Sequence, residues 1–139
     1  MMIQEKTAQL IEEFKMFEDW MEKYNYLIEM GQELPPIDAK YKVSENLIKG
    51  CQSKVWLHAS YDGETVSFSV DSDAIITKGI AALLLRVFNH ETTEEILAAD
   101  MGFIEELGLH QHLSPTRSNG LLSMIKQIRI YALAFQAKS

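Results

Sequence analysis

Apolar and polar residues recur along this chain with two different periods, and each period predicts its own kind of element. Ile3, Thr7, Leu10, Ile11 and Phe14 fall three and four residues apart, with Glu5, Glu12 and Glu13 on the other side, which predicts an amphipathic helix. A second helix is expected from near Asp19, with Trp20, Tyr24, Leu27 and Ile28 as its stripe and Gly31 as its C-terminal stop. Pro35 and Pro36 then enforce an extended segment, because proline fixes its own φ and disfavours helix in the residue before it.

In residues 54–60 and 65–70 the period becomes two. With Asp62 and Gly63 as a two-residue turn, Ala59 opposes Val66, Leu57 opposes Phe68 and Val55 opposes Val70, all on one face. Ser60, His58 and Trp56 then share the other face with Thr65, Ser67 and Ser69. A one-residue slip would carry polar side chains into the apolar face, so the face assignment is firmly specified. Residues 46–49 suit a short third strand, which makes 50–53 the loop between the first two strands.

Helical spacing returns at 74–88, where Ile76, Ile80, Leu83, Leu84 and Val87 form the expected buried stripe and Asp71, Ser72 and Asp73 are N-cap candidates. Thr92 and Glu95 are spaced as a capping box for another short helix. Phe103, Ile104 and Leu107 suggest one or two more turns ended by Gly108. Ser118, Asn119 and Gly120 lead into a long helix with Leu121, Leu122, Ile125, Ile128 and Leu133 as its apolar positions. Neither repeats nor linkers interrupt the pattern, and residues 1–139 are expected to form one domain.

Composition narrows the functions open to the chain. Its 139 residues suffice for a hydrophobic core without covalent staples. The longest apolar run, 80–85, is far shorter than the roughly 18–20 residues a membrane span requires. The opening Met1, Met2, Ile3, Gln4, Glu5 and Lys6 lack the basic and apolar regions of a secretory signal. A net charge of −7 argues against non-specific nucleic-acid binding and against anionic membrane surfaces. These features fit a cytoplasmic protein with protein or small-molecule partners. Cys51 is the only cysteine, which excludes an internal disulfide, a CxxC redox pair, a four-cysteine zinc site and an iron–sulfur cluster held by this chain alone.

Three stretches carry candidate chemistry. Cys51 stands in GCQSKVW (50–56), among loop residues rather than core residues. Two readings stand from that context: a buried, inert structural cysteine, or a reactive thiol whose thiolate Lys49 and Lys54 favour. His110 and His112 are spaced as metal ligands would be in a strand, but they follow what looks like a helix end, where loop histidines are the simpler reading. A Cys–His dyad between Cys51 and one of the four histidines also stays open. In SPTRS (114–118), Ser114 or Ser118 suits a helix cap, while Arg117 places a cation at a helix start, against the dipole. That charge suggests a task, toward a carboxylate or an anionic sulfur species. Asp73 reads either as a cap or as a contact to a partner.

These residues together resemble the SufE sulfur-acceptor family, of which CsdE is a paralogue. The resemblance rests on GCQSKVW around Cys51, DSDA at 71–74, KGIAALL from Lys78, and LGLHQHLSPTRSNGL at 107–121, in order and at natural spacing over nearly the whole chain. It implies an α+β fold, helices packed on a small antiparallel sheet of about three strands, similar to IscU and in agreement with the hairpin above. It also implies a persulfide relay. A SufS-type cysteine desulfurase, which carries its own pyridoxal phosphate, would pass sulfur to Cys51, and the sulfur would move on to a SufBCD-type scaffold for iron–sulfur cluster assembly. Such proteins also accelerate the desulfurase. The family's acceptor cysteine corresponds to Cys51, with Gln52 beside it, and its motif arginine and aspartate correspond to Arg117 and Asp73. No metal or cofactor of the chain's own is expected.

Readings from other classes predict different behaviour. An IscU-like scaffold for metal or a nascent cluster needs several cysteines in one chain. A Cys–His hydrolase would turn over an acyl substrate without a partner, and no nucleophile-elbow pattern supports one. A non-catalytic desulfurase adaptor would keep its activity after Cys51→Ala.

Overall fold

The computed structural model describes residues 2–138, so Met1 and Ser139, the ends of the expected domain, lie outside the described residues. Both N-terminal helices form where the apolar spacing places them. Helix α1 spans Ile3–Lys15 and buries Ile3, Leu10 and Phe14. Helix α2 spans Trp20–Gln32. Its N-cap is Asp19, whose carboxylate accepts the Glu22 N–H at 2.9 Å and so satisfies a donor the helix itself leaves open.

Gly31 does not end α2 but lies buried inside it. Its role is contact with helix α3, Ile75–Phe88. A Cβ on Gly31 would lie 2.9 Å from the Gly79 backbone nitrogen, and one on Gly79 would lie 2.3 Å from the Leu27 carbonyl oxygen. The two helices therefore cross backbone to backbone with no side chain between them. Helix α3 is the centre of the molecule, burying residues on nearly all sides, Ile80, Leu83, Leu84 and Val87 among them, while Ile76 is half-buried.

The hairpin forms from strands β1 (Val55–Tyr61) and β2 (Val66–Ser72), with the predicted apolar face. Its register differs by two residues from the one expected: Ala59 pairs with Phe68, Leu57 with Val70 and Val55 with Ser72. Asp62 is the cause. Its side chain accepts the N–H groups of Glu64 and Thr65, both at 2.8 Å, so it flanks the turn and leaves Gly63 and Glu64 at the tip. Gly63 takes a φ of 98°, which glycine adopts without strain. A two-residue shift keeps every side chain on its face, which is why the apolar pattern could not detect it.

The expected third strand is reduced to a single bridge between Leu47 and Trp56, so the sheet has two strands. The hairpin's other face is partly covered, because a 3-10 turn at Ala39–Tyr41 stacks Tyr41 on His58 with ring centroids 3.5 Å apart.

Helix α4, Thr93–Ala98, starts at the predicted Thr92 cap, whose hydroxyl accepts the Glu95 N–H at 3.1 Å. Two short helices follow, α5 (Gly102–Glu106) and α6 (Leu109–His112), separated at Gly108, where φ is 80°. Helix α7, Pro115–Lys138, begins earlier than expected. Ser114 accepts the Arg117 N–H at 3.3 Å, and proline at the first helical position lacks only a donor the helix would not use. Met124 and Ala132 join Leu121, Ile125 and Ile128 on the buried side, whereas Leu122 and Leu133, expected in the apolar stripe, are exposed. The whole is helices packed on a small antiparallel sheet, the α+β class the sequence implied.

Candidate functional site

The only thiol lies where three elements meet: the loop entering β1, the loop leaving β2, and the first turns of α7. Gly50 takes a φ of 94°, reversing the chain just before Cys51, and a Cβ there would lie 2.4 Å from the Ser123 hydroxyl oxygen. The loop thus rests against α7 through a glycine at each side. On the helix that glycine is Gly120, whose carbonyl lies 3.7 Å from Cys51 Sγ, in reach of a weak S–H···O contact. A Cβ on Gly120 would approach Sγ to 3.6 Å, an ordinary contact distance.

Asp73 fixes the far end of the loop. Its carboxylate accepts the Lys54 N–H at 3.0 Å, and its own N–H donates to the Lys54 carbonyl at 3.2 Å. The hairpin ladder is thereby extended one step beyond its last strand pair. Asp73 does not cap α3; Ala74 holds the N-cap position, and the Ser72 hydroxyl accepts the Ala74 N–H at 3.2 Å. Nearby, Asp71 receives Lys42 at 3.1 Å and Lys78 at 3.3 Å. Burial opposes its charge, but hydrogen bonds from Lys42, the Ser72 N–H and Lys78 outweigh it and hold the carboxyl below its ordinary pKa.

Cys51, Gln52, Asp73 and Arg117 line one open cleft of about 680 Å³, together with Thr116 and Gly120 from α7. The chain brings them there from three separate stretches. Cys51 is half-buried and packs on the core, while Gln52, Asp73 and Arg117 are exposed. Burial pushes the thiol pKa above its ordinary value. Lys49 and Lys54, expected to favour the thiolate, are both exposed and do not offset that burial. The Arg117 guanidinium has no ion-pair or hydrogen-bond partner among the described residues. A cation without a partner among the described residues therefore shares a cleft with a thiol whose ionisation burial disfavours.

The histidines are engaged elsewhere. His112 stacks on Trp20, centroids 4.1 Å apart, and its Nδ1 lies 3.0 Å from the Gly108 carbonyl. His110 Nδ1 lies 3.1 Å from the Ser118 hydroxyl, and His90 Nδ1 lies 3.2 Å from that of Ser67. His58 is stacked under Tyr41. None of them lines the Cys51 cleft, so no Cys–His dyad forms. Among the described residues no group of three or more His, Cys, Asp or Glu side chains converges on a point that could hold a metal ion.

Sequence reasoning missed Gly120 and Ser123, the two α7 residues against which the cysteine loop rests. One signal was available for the first. A glycine inside a long helix costs stability relative to alanine, and close approach of another chain segment is the usual compensation.

Comparison with known proteins agrees with this fold. In the solution structure of a hypothetical protein from Thermus thermophilus, the same fold recurs with a TM-score of 0.77 at 24% identity, over 93% of this chain and 94% of that one. SufE-like protein 1, chloroplastic/mitochondrial, from Arabidopsis thaliana is 41% identical over 98% of the chain, which spans 38% of that relative's length. The family model described as "SufE: Fe-S metabolism associated domain" matches residues 8–132, the segment that holds the cysteine loop, the hairpin and the cleft wall of α7. With that match over most of its length, the chain belongs to the SufE family, whose domain is associated with Fe–S metabolism.

Proposed function

We propose that the chain is a sulfur carrier: Cys51 accepts persulfide sulfur from a SufS-type, pyridoxal-phosphate-dependent cysteine desulfurase and delivers it to a SufBCD-type scaffold, stimulating the desulfurase by emptying its cysteine. The supporting observation is the pairing in one cleft of the only thiol, half-buried, with the unpartnered Arg117 guanidinium. In the transfer step the Cys51 thiolate attacks the outer sulfur of the donor persulfide. A new S–S bond forms at Cys51 Sγ, the donor's S–S bond breaks, and the donor cysteine leaves as a thiolate. Sulfur is the cargo, and the pyridoxal phosphate belongs to the partner.

Each residue of the cleft has a part in this reading. Burial keeps the resting thiol protonated and unreactive, so reaction waits for docking to move the loop and expose it. Arg117 stabilises the anionic persulfide once formed. Asp73 keeps the loop in register with the hairpin, and Gln52, exposed beside the thiol, meets the partner. A lone cysteine also keeps the persulfide from resolving into an internal disulfide. We place this activity in the cytoplasm; no described helix is long and apolar enough to cross a membrane.

The test is intact mass after incubation with the desulfurase and free cysteine, without reductant, followed by mapping of the modified peptide. One added sulfur on the Cys51 peptide, absent without the desulfurase, is the expected result. An unmodified Cys51 beside a persulfidated desulfurase would reject the carrier role in favour of a non-catalytic adaptor.

A further inference from the structure

Beside β2 lies a second cleft, of about 610 Å³, that shares no residue with the Cys51 cleft. It runs between the outer edge of β2, the end of α2 and the Pro35–Pro36 segment. Along β2 the backbone groups of every second residue point away from β1. The Val66 N–H donates to the Glu91 carbonyl at 2.9 Å, the Val66 carbonyl accepts the His90 N–H at 2.8 Å, and the Phe68 N–H donates to Asn89 Oδ1 at 2.7 Å. Val70 is the next residue on that side. Its N–H and C=O have no hydrogen-bond partner among the described residues, although Val70 is only 3% exposed. Buried backbone groups without partners are rare, and a strand edge that keeps them is a template for another strand.

The walls indicate what would pair there. Met30, Leu34, Phe68 and Leu85 give an apolar lining. Arg86 and Tyr26 also face the cleft, but both are committed to Glu13: Arg86 donates to it from both terminal nitrogens, and the Tyr26 hydroxyl donates to it as well. Glu29 and Glu33, one turn apart at the end of α2, are exposed on the rim and have no ion-pair partner among the described residues. The uncommitted charge of this cleft is therefore negative.

We propose that the cleft takes an extended segment of a partner protein, added as a strand on the outer edge of β2 at Val70, with alternate apolar side chains against the lining and a lysine or arginine directed at Glu29 and Glu33. Backbone pairing supplies the affinity, and the two carboxylates supply the selection for a basic segment. The inference is independent of the sulfur-transfer reading, and its test uses neither desulfurase nor persulfide.

The probe is a fluorescein-labelled peptide, Lys-Val-Thr-Val-Lys, titrated against the intact chain, with binding read by anisotropy and by amide shifts in ¹H–¹⁵N spectra. Saturable binding with shifts centred on Phe68 and Val70 is expected. It should weaken about tenfold in the double variant Glu29→Gln/Glu33→Gln, which removes both carboxylate partners of the basic side chain. It should be lost when the central peptide nitrogens are methylated. Absence of binding at millimolar peptide overturns the proposal. So does equal binding of Glu-Val-Thr-Val-Glu, a shift pattern away from β2, or self-association that covers the cleft with a second copy.

Discussion

The crossing of α2 over α3 and the loop that carries Cys51 both depend on glycines, but to opposite effect. At the crossing, Gly31 and Gly79 remove side chains so that two helix backbones touch, and nothing there can shift without opening the core. Beside it, Arg86 and Tyr26 clasp Glu13 from three elements of the helix layer. At the loop, Gly50 and Gly120 also bring backbones close, but what they admit is a polarisable thiol and a hydroxyl. Among the described residues the cysteine side chain makes a single, weak hydrogen bond, at 3.7 Å. A rigid layer thus holds a loosely seated loop. The sulfur-carrier role proposed above would need this division, with the scaffold keeping its position while the loop moved at small cost.

The sharpest way to break the comparison is Gly79→Ala. Its Cβ would meet the Leu27 carbonyl oxygen at 2.3 Å, a backbone atom that cannot swing aside as a side chain could. Overpacking of this kind should cost about 3 kcal/mol, read as a lowered midpoint in urea unfolding. A smaller loss, about 2 kcal/mol, is expected for Glu13→Gln, which removes the charge-assisted partner of Arg86. The hydrogen bond from Arg86 is the main reason the Glu13 carboxyl sits below its ordinary pKa. A lowered pKa contributes stability above the unfolded value that disappears as pH falls through the folded one. The gap between wild type and Glu13→Gln should therefore close in acid, as unfolding curves from neutral pH downward would show.

Within the loop the effects are smaller and differ in sign. Gly50→Ala places a Cβ at a φ of 94° and against Ser123, at a cost of about 1–2 kcal/mol, and should expose the thiol to faster alkylation. Gly120→Ala meets only an ordinary contact with Sγ and gains helix propensity, so it should stabilise by up to about 1 kcal/mol while slowing alkylation. If both variants left alkylation unchanged, the idea that the loop's seating controls the thiol would fail.

A pH series on the native chain sharpens the point. Burial raises the Cys51 pKa, so the alkylation rate should rise through a midpoint above that of free cysteine. The protonated thiol's contribution to stability is complete below the ordinary thiol pKa and is lost as pH rises through the raised one. Urea-denatured protein should return to the ordinary midpoint.

Much of this was legible in the residues. The apolar face of the hairpin, with Val55, Leu57, Ala59, Val66, Phe68 and Val70, followed from period two, and the helix positions of Leu10, Leu27 and Ile80 from period 3.6, whereas Asp71 and Ser72, read as helix caps, belong to β2. Motif resemblance pointed to Cys51, Gln52, Asp73 and Arg117, which do line one cleft. Less legible were contacts made by atoms that pattern does not describe. The register slipped by two because the Asp62 carboxylate, accepting the Glu64 and Thr65 N–H groups, sets the turn, and hydrophobicity does not. Gly31 looked like a helix stop because glycine serves both as a stop and as a crossing point. Leu122 and Leu133 looked buried because both fall near the apolar stripe of a helix whose exact phase depends on what packs against it.

The sequence by itself determined the main helices, the two hairpin strands with their apolar face, and the presence of a single thiol, since local periodicity and composition act before any long-range contact forms. Only the tertiary structure decided that Cys51 is half-buried against the Gly120 carbonyl, that Asp73 anchors a loop rather than capping a helix, and that Arg117 is left without a partner among the described residues. Each of those depends on atoms distant in sequence being brought within a few ångströms, and hydrogen bonding, desolvation and van der Waals contact act only over that range.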